Sequence, residues 1–62
     1  MKNKLKDIRE QKKLTQEQFA KWVGISSQPQ YARIENGGDI KLSTASKIAK
    51  ILKMSIQDIW EV

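Results

Sequence analysis

Residues 14–37 read LTQEQFAKWVGISSQPQYARIENG, and the cap and apolar residues in this stretch predict two short helices joined by a tight turn. Thr15 can accept a hydrogen bond from the first turn of a helix, and Gln18, three residues later, completes a capping box. This helix is expected to extend to about Val23. Gly24 then suits the left-handed conformation in which helices commonly end.

Ser27, followed two residues later by Pro29, marks the start of the second helix of this stretch. Pro29 fits only the first turn of a helix, where its missing N–H costs nothing, so the helix is predicted from near Gln28 towards Asn36. Tyr31 and Ile34, three residues apart, form its buried side. Two helices joined by a short, glycine-containing turn make a helix-turn-helix, in which the first helix holds the second against a DNA duplex.

The remainder of the chain also has helical periodicity. An amphipathic helix is predicted over Lys2–Lys12, and the Gly37–Asp39 segment is predicted to be a loop. A fourth helix is expected at roughly Ser43–Leu52, and Ser55 can cap a short fifth helix that includes Trp60. No segment has the pattern of a strand, so the fold class is all-α, with five short helices.

Length and composition limit what this fold can do. With 62 residues, the chain is expected to form one domain over residues 1–62, which buries only about 60% of its unfolded surface. It contains no cysteine and no histidine, which removes the disulfide, the thiolate metal ligand and the commonest general base. The remaining carboxylates, such as Asp7, Glu10 and Glu17, lie among lysines in exposed helical pattern. We therefore expect no enzyme activity, no metal and no cofactor.

The charge balance favours a polyanionic partner. Twelve Lys and Arg residues against seven Asp and Glu residues give a net charge of +5. Such an excess on a small domain is typical of nucleic-acid binding, although a soluble protein rich in lysine can show it too. The apolar runs are too short for a signal peptide or a membrane span, so a cytoplasmic protein without a membrane partner or small-molecule substrate is expected.

The ordered pattern of apolar and polar residues resembles the helix-turn-helix family of Cro and the phage repressors, often called the Xre family. The segment that carries most of the resemblance is Leu14-Thr-Gln-x-x-Phe19-Ala20-x-x-Val23-Gly24-Ile25-Ser, followed by Tyr31-x-x-Ile34-Glu35-Asn36-Gly37. The resemblance implies a compact lambda-repressor-like domain of five helices. It also implies a Cro-like transcriptional regulator, a repressor by preference, that binds a pseudo-palindromic operator as a weak homodimer.

Two differences in length separate the chain from the usual family pattern. One residue more lies between Gly24 and Glu35, and one fewer lies between Gly37 and Leu42. The simplest explanation places the additional residue, Ser26, in the turn before the second helix of the motif. Assignments of DNA contacts are therefore made to within one residue of register.

The resemblance also implies which residues contact DNA. The expected base contacts lie on the helix after the turn, where Gln can pair with adenine, Arg with guanine, and Ala can touch a thymine methyl. They are Gln28, Pro29, Gln30, Ala32 and Arg33. The expected phosphate contacts flank that helix or begin the helix before it, where a helix N-terminus and backbone N–H groups favour anions. They are Gln16, Ser27, Asn36, Gly37, Gly38 and Lys41.

The resemblance also implies two sets of residues with roles in the fold or in dimer assembly. Arg9 and Glu35 are expected to form a partly buried ion pair between the first and third helices. A dimer contact is expected on the loop and last helix, although Trp60 there is equally suited to the core. The residues expected in the dimer contact are Ile40, Met54, Gln57, Trp60 and Val62.

Trp22 supports a competing interpretation. The family usually has a polar residue at this position, and an exposed tryptophan can anchor a protein partner. A protein-interaction module, or an antitoxin-like protein with DNA binding secondary, is therefore the alternative function. Trp22 can instead cover the lysine stems of the first helix.

Overall fold

Five helices form the molecule in the computed structural model, which describes residues 2–60. They are α1 (Leu5–Gln11), α2 (Gln16–Trp22), α3 (Gln28–Glu35), α4 (Leu42–Leu52) and α5 (Ile56–Ile59). The fold class is all-α, as the sequence predicts. Within residues 2–60 the only β-type pairing is an isolated bridge between Asn3 and Trp60, and no helix there is long and apolar enough to cross a membrane.

Local side-chain caps determine where most helices begin. Thr15 accepts from the backbone N–H of Gln18, whose side chain accepts from the Thr15 N–H, and Ser55 forms the same box with Asp58. The Ser27 hydroxyl accepts from Gln30 N–H at the start of α3. These caps satisfy N–H groups that have no partner within the helix, so they confirm the predicted helix starts.

A left-handed glycine ends the first helix of the motif. Gly24 has a φ of 81°, and its successor Ile25 donates its backbone N–H to Ala20 O over 2.8 Å. This closure turns the chain so that Ile25 enters the core and Ser26 lies in the turn before α3. The position predicted for Gly24 is confirmed.

The first helix is shorter than the amphipathic pattern of Lys2–Lys12 predicts. Asn3 accepts from Leu5 N–H over 3.0 Å, and its amide nitrogen donates to Ile34 O over 2.9 Å. Lys4 N–H donates to Ile59 O over 2.8 Å. Long-range bonds therefore hold the residues before Leu5 out of the helix, and no sequence periodicity indicates them.

One hydrophobic core joins all five helices. Its largest fully buried side chains include Leu5, Phe19, Tyr31, Ile48 and Trp60. The side chain of Trp60 is only 1% exposed. The expectation that Trp60 contacts a second copy is therefore corrected: Trp60 has extended backbone that pairs with Asn3, and its indole ring lies inside the core.

Candidate nucleic-acid interface

One side of α3 packs on the core, and the other presents polar and basic groups to solvent. Tyr31 and Ile34 are buried. Pro29, Gln30 and Arg33 are exposed, and the remaining two base-contact candidates, Gln28 and Ala32, are half-buried. The five residues therefore occupy a helix with a solvent-accessible face, as base reading in a major groove requires.

The first residues of α2 and α3 are joined by their side-chain amides. Gln28 Nε2 donates to Gln16 Oε1 over 2.6 Å, and Gln16 Nε2 donates to Glu35 Oε1 over 3.3 Å. A chain of two hydrogen bonds thus runs from the end of α3 across the start of α2 to the start of α3. Gln16, expected only as a phosphate contact, also connects these helices.

Glu35 is the point where three helices meet. Arg9 Nε donates to Glu35 Oε2 over 3.0 Å and Arg9 Nη2 to Glu35 Oε1 over 3.2 Å, so the ion pair is bidentate. Arg9 Nη1 also donates to Leu14 O over 2.9 Å, which ties the end of the α1–α2 loop to the pair. The Glu35 side chain is only 3% exposed and that of Arg9 is 14% exposed.

Charge pairing overcomes burial at Glu35. Burial raises the pKa of the Glu35 carboxyl, but the hydrogen bonds from Arg9 and Gln16 stabilise its ionised form and the net effect lowers its pKa. Glu35 is therefore a carboxylate near neutral pH and accepts hydrogen bonds only.

The hydroxyl of Tyr31 lies close to this carboxylate. Burial raises the pKa of Tyr31, and the charge of Glu35 raises it further. Among the described residues, no group makes a hydrogen bond of good geometry with the buried Tyr31 oxygen. Tyr31 therefore stays neutral beside the ion pair, and its ring packs against Phe19 with centroids 5.2 Å apart.

The end of α3 does not present its backbone N–H groups outward. Asn36 N–H donates to Ala32 O, Gly37 N–H to Ile34 O and Gly38 N–H to Arg33 O, over 3.0, 3.0 and 2.8 Å. The structure corrects the expectation that these N–H groups face a phosphate, because they close the helix end instead. Gly38 packs so tightly that an added Cβ would lie 2.7 Å from Arg33 O.

A shallow groove of about 300 Å³ brings base and phosphate candidates together. It lies between α3, the loop after it and the first turn of α4. Gln30 and Arg33 line one side, and Asp39, Lys41 and Thr44 line the other. Ser27 is exposed at the opposite end of α3, at the N-cap.

The candidates for a dimer contact are unequally accessible. Ile40 and Met54 are half-buried against the core, and Gln57 is exposed. Val62 lies outside the described residues. Leu42, which the sequence analysis did not assign to the interface, is 74% exposed at the start of α4. Its helical spacing from Ala45 and Ala49 suggests a core residue, so the pattern gives no signal of this exposure.

Trp22 both covers a lysine and faces solvent. Lys12 Nζ lies 5.3 Å from the centre of the Trp22 ring, and Phe19 meets the same ring edge-on at 5.5 Å. The Trp22 side chain is nevertheless 42% exposed. Both interpretations of this residue, a cover over a lysine and an accessible aromatic surface, are compatible with its position.

Comparison with known proteins agrees with this geometry. A family model described as helix-turn-helix matches residues 5–59, which include all five helices. The chain belongs to the helix-turn-helix family. It is also 45% identical over 60 residues to an uncharacterized HTH-type transcriptional regulator of Methanocaldococcus jannaschii, covering 97% of this chain and 91% of that protein. No solved structure matches with significance.

Family membership gives the general activity of the protein. It indicates DNA-binding transcriptional regulation, and families of this kind are regulators and not enzymes. The Xre-type resemblance drawn from residues 14–37 is thereby confirmed.

Proposed function

We propose that the protein is a sequence-specific repressor that reads the major groove with α3 and binds a pseudo-palindromic operator as a weak homodimer in the cytoplasm. The observation that carries this proposal is the polar face of α3, where Gln30 and Arg33 are exposed, Gln28 is half-buried, and Arg33 lies beside the tightly closed glycine loop. Side-chain amides and guanidinium groups are the ones best suited to reading base edges.

Charged and small groups around α3 are suited to holding the DNA backbone. Lys41 is exposed beside Arg33, and Gln16 begins α2, where the helix dipole favours an anion. The exposed side chains of Ser27 and Asn36 lie at the two ends of α3, where the duplex can approach. Phosphate contacts of this kind position the protein without reading sequence.

A second copy is the expected partner on an operator with two half-sites. We assign the contact to Ile40, Leu42, Met54 and Gln57, together with Val62 of the undescribed C-terminus. Within residues 2–60, Leu42 and Trp22 are the large apolar side chains with substantial exposure. A stable interface usually buries at least about 1,200 Å², so the free dimer should be weak and form mainly on DNA.

Selection of bound duplexes from a random pool tests this function. The selected site should be a pseudo-palindrome with half-sites about one helical turn apart, because the two-fold symmetry of a dimer projects onto the duplex. Leu42→Glu should reduce binding to the double site more than to a single half-site. Asymmetric sites bound with one-to-one stoichiometry would contradict the dimer, and absence of any enriched sequence would contradict base reading.

Trp22 favours a second candidate, a protein-interaction or antitoxin-like module that uses the same fold. Its ring is held by Phe19 and Lys12 and remains 42% exposed. Under this alternative, binding of a protein partner is the main activity and DNA binding is secondary. Trp22→Ala would then abolish binding of the protein partner. The net charge of +5 weighs against it.

A further inference from the structure

We propose that Glu35 determines which base Gln28 prefers. It does so by accepting a hydrogen bond from Gln16, which fixes the direction of the hydrogen bond between Gln28 and Gln16. This inference rests on the proposed base-reading function of α3. Glu35 is then a positioning residue, because it acts on the DNA only through the two glutamine side chains.

The Glu35 carboxylate determines the orientation of the Gln16 amide. A carboxylate can only accept, so the atom of Gln16 that faces Glu35 Oε1 over 3.3 Å must be the amide nitrogen. The carbonyl oxygen of Gln16 is left for its other neighbour, Gln28. Arg9 donates to both oxygens of the same carboxylate, and Oε1 accepts from Arg9 and Gln16 together.

Gln16 in turn determines the orientation of the Gln28 amide. Gln16 Oε1 is an acceptor, so Gln28 must turn its nitrogen towards it, and the distance is 2.6 Å. The free edge of Gln28 then consists of its carbonyl oxygen and its second N–H. No other described residue hydrogen-bonds either group.

The exposed donor–acceptor edge matches one purine and opposes the other. Adenine presents the N7 acceptor and the N6 amino donor in the major groove, whereas guanine presents two acceptors, N7 and O6. The Gln28 carbonyl can accept from adenine N6 but would oppose guanine O6. The carboxylate of Glu35 therefore favours adenine at a base that it does not touch.

Replacing the carboxylate with an amide removes this constraint. Arg9 donates to both oxygens of Glu35, and Oε1 accepts from Gln16 as well, so the Arg9 guanidinium gives the amide of Glu35→Gln no single orientation. When the new amide nitrogen faces Gln16, Gln16 turns its oxygen towards residue 35 and its nitrogen towards Gln28. Gln28 can then present both amide hydrogens outward, an edge that suits the two acceptors of guanine.

The experiment compares affinities for duplexes that differ by A·T or G·C at a single position. That position is the one at which Gln28→Ala changes the base preference of the wild-type protein. We expect the wild type to prefer A·T there by about fivefold or more, the lower end of discrimination by a bidentate contact. Glu35→Gln should lower this ratio by about threefold or more, and the preference at the base read by Arg33 should not change.

Two variants separate this effect from loss of the ion pair. Arg9→Met removes the ion pair but leaves the carboxylate to accept from Gln16, so its A·T preference should match that of the wild type. Gln16→Met leaves the ion pair intact but removes the connection, so it should lose the preference, and it serves if Glu35→Gln does not fold. All titrations are run at a temperature where circular dichroism shows each variant folded.

Each outcome decides between the claims. The inference is supported if the A·T preference falls in both Glu35→Gln and Gln16→Met, or in Gln16→Met where Glu35→Gln does not fold, and is retained in Arg9→Met. An equal loss of the preference in Arg9→Met, or an unchanged ratio in folded Glu35→Gln or in Gln16→Met, overturns it and leaves base reading by Gln28 intact. If Gln28→Ala itself changes no base preference, the assignment of Gln28 within the proposed function fails, and the inference fails with it.

Discussion

Arg9 and Glu35 are joined by two parallel hydrogen bonds of 3.0 and 3.2 Å, although 26 residues separate them in the sequence. The pair links α1 to the end of α3 and is largely shielded from solvent. Desolvated pairs of this type are costly to break from one side, because the remaining charge is left without compensation.

Arg9→Ala should accordingly lower the free energy of unfolding by about 3 kcal/mol. The loss comes from the stranded Glu35 carboxylate and from the broken bond to Leu14 O. Urea denaturation followed by circular dichroism measures it, with exposed Lys6→Ala on the same helix as the control. A change in Arg9→Ala no larger than that in Lys6→Ala would show that the pair does not stabilise the fold.

Low pH should weaken the Arg9–Glu35 ion pair. The pKa of Glu35 is lower in the folded protein than its ordinary value of 4.5, so its contribution to stability is present above about pH 5. That contribution is lost as the pH falls through the folded-state pKa. Melting temperatures of wild type and Glu35→Gln should therefore differ at pH 7 and converge towards pH 3. A difference that stays constant over this range would count against the link.

Gly24 should resist substitution because its φ of 81° is unfavourable for residues with a Cβ. An added Cβ would also lie 2.9 Å from Lys47 Nζ, although that flexible side chain can move. Gly24→Ala should cost about 1 kcal/mol. Gly24→Asn, which tolerates the left-handed region better, should cost less in the same denaturation experiment. Equal stability of Gly24→Ala and wild type would refute the left-handed helix end.

The two tryptophans should differ in fluorescence. Trp60 is 1% exposed and Trp22 is 42% exposed. Trp22→Phe should therefore leave an emission that is shifted to shorter wavelength and poorly quenched by acrylamide. Strong quenching in Trp22→Phe, comparable with the wild type, would contradict the burial of Trp60 in the core.

Features controlled by neighbours in the chain could be predicted from the sequence. Thr15, Ser27 and Ser55 cap helices through bonds to residues three positions later, and such spacing is visible in one dimension. The helical order, the glycine turn and the α3 surface follow from the same local rules. These features were sufficient to indicate a helix-turn-helix.

Features that depend on distant contacts could not be predicted in this way. The start of α1 depends on bonds from Asn3 to Ile34 and from Lys4 to Ile59. The link between Gln16 and Glu35 spans 19 residues, and Trp60 is buried where it pairs with the distant residue Asn3. The direction of the N–H groups at Gly37 and Gly38 follows from the closure of α3, and composition alone does not indicate it.

The most direct test of the central claim, that α3 reads sequence while flanking groups hold the backbone, is a paired titration on cognate and scrambled duplexes. Arg33→Ala should weaken cognate binding by about 1–3 kcal/mol and leave scrambled binding nearly unchanged, whereas Lys41→Ala should weaken both by the same factor. Lys6→Ala serves as the charge control. Wild-type affinities that are equal on the two duplexes, or that do not fall between 50 and 200 mM salt, would contradict the account.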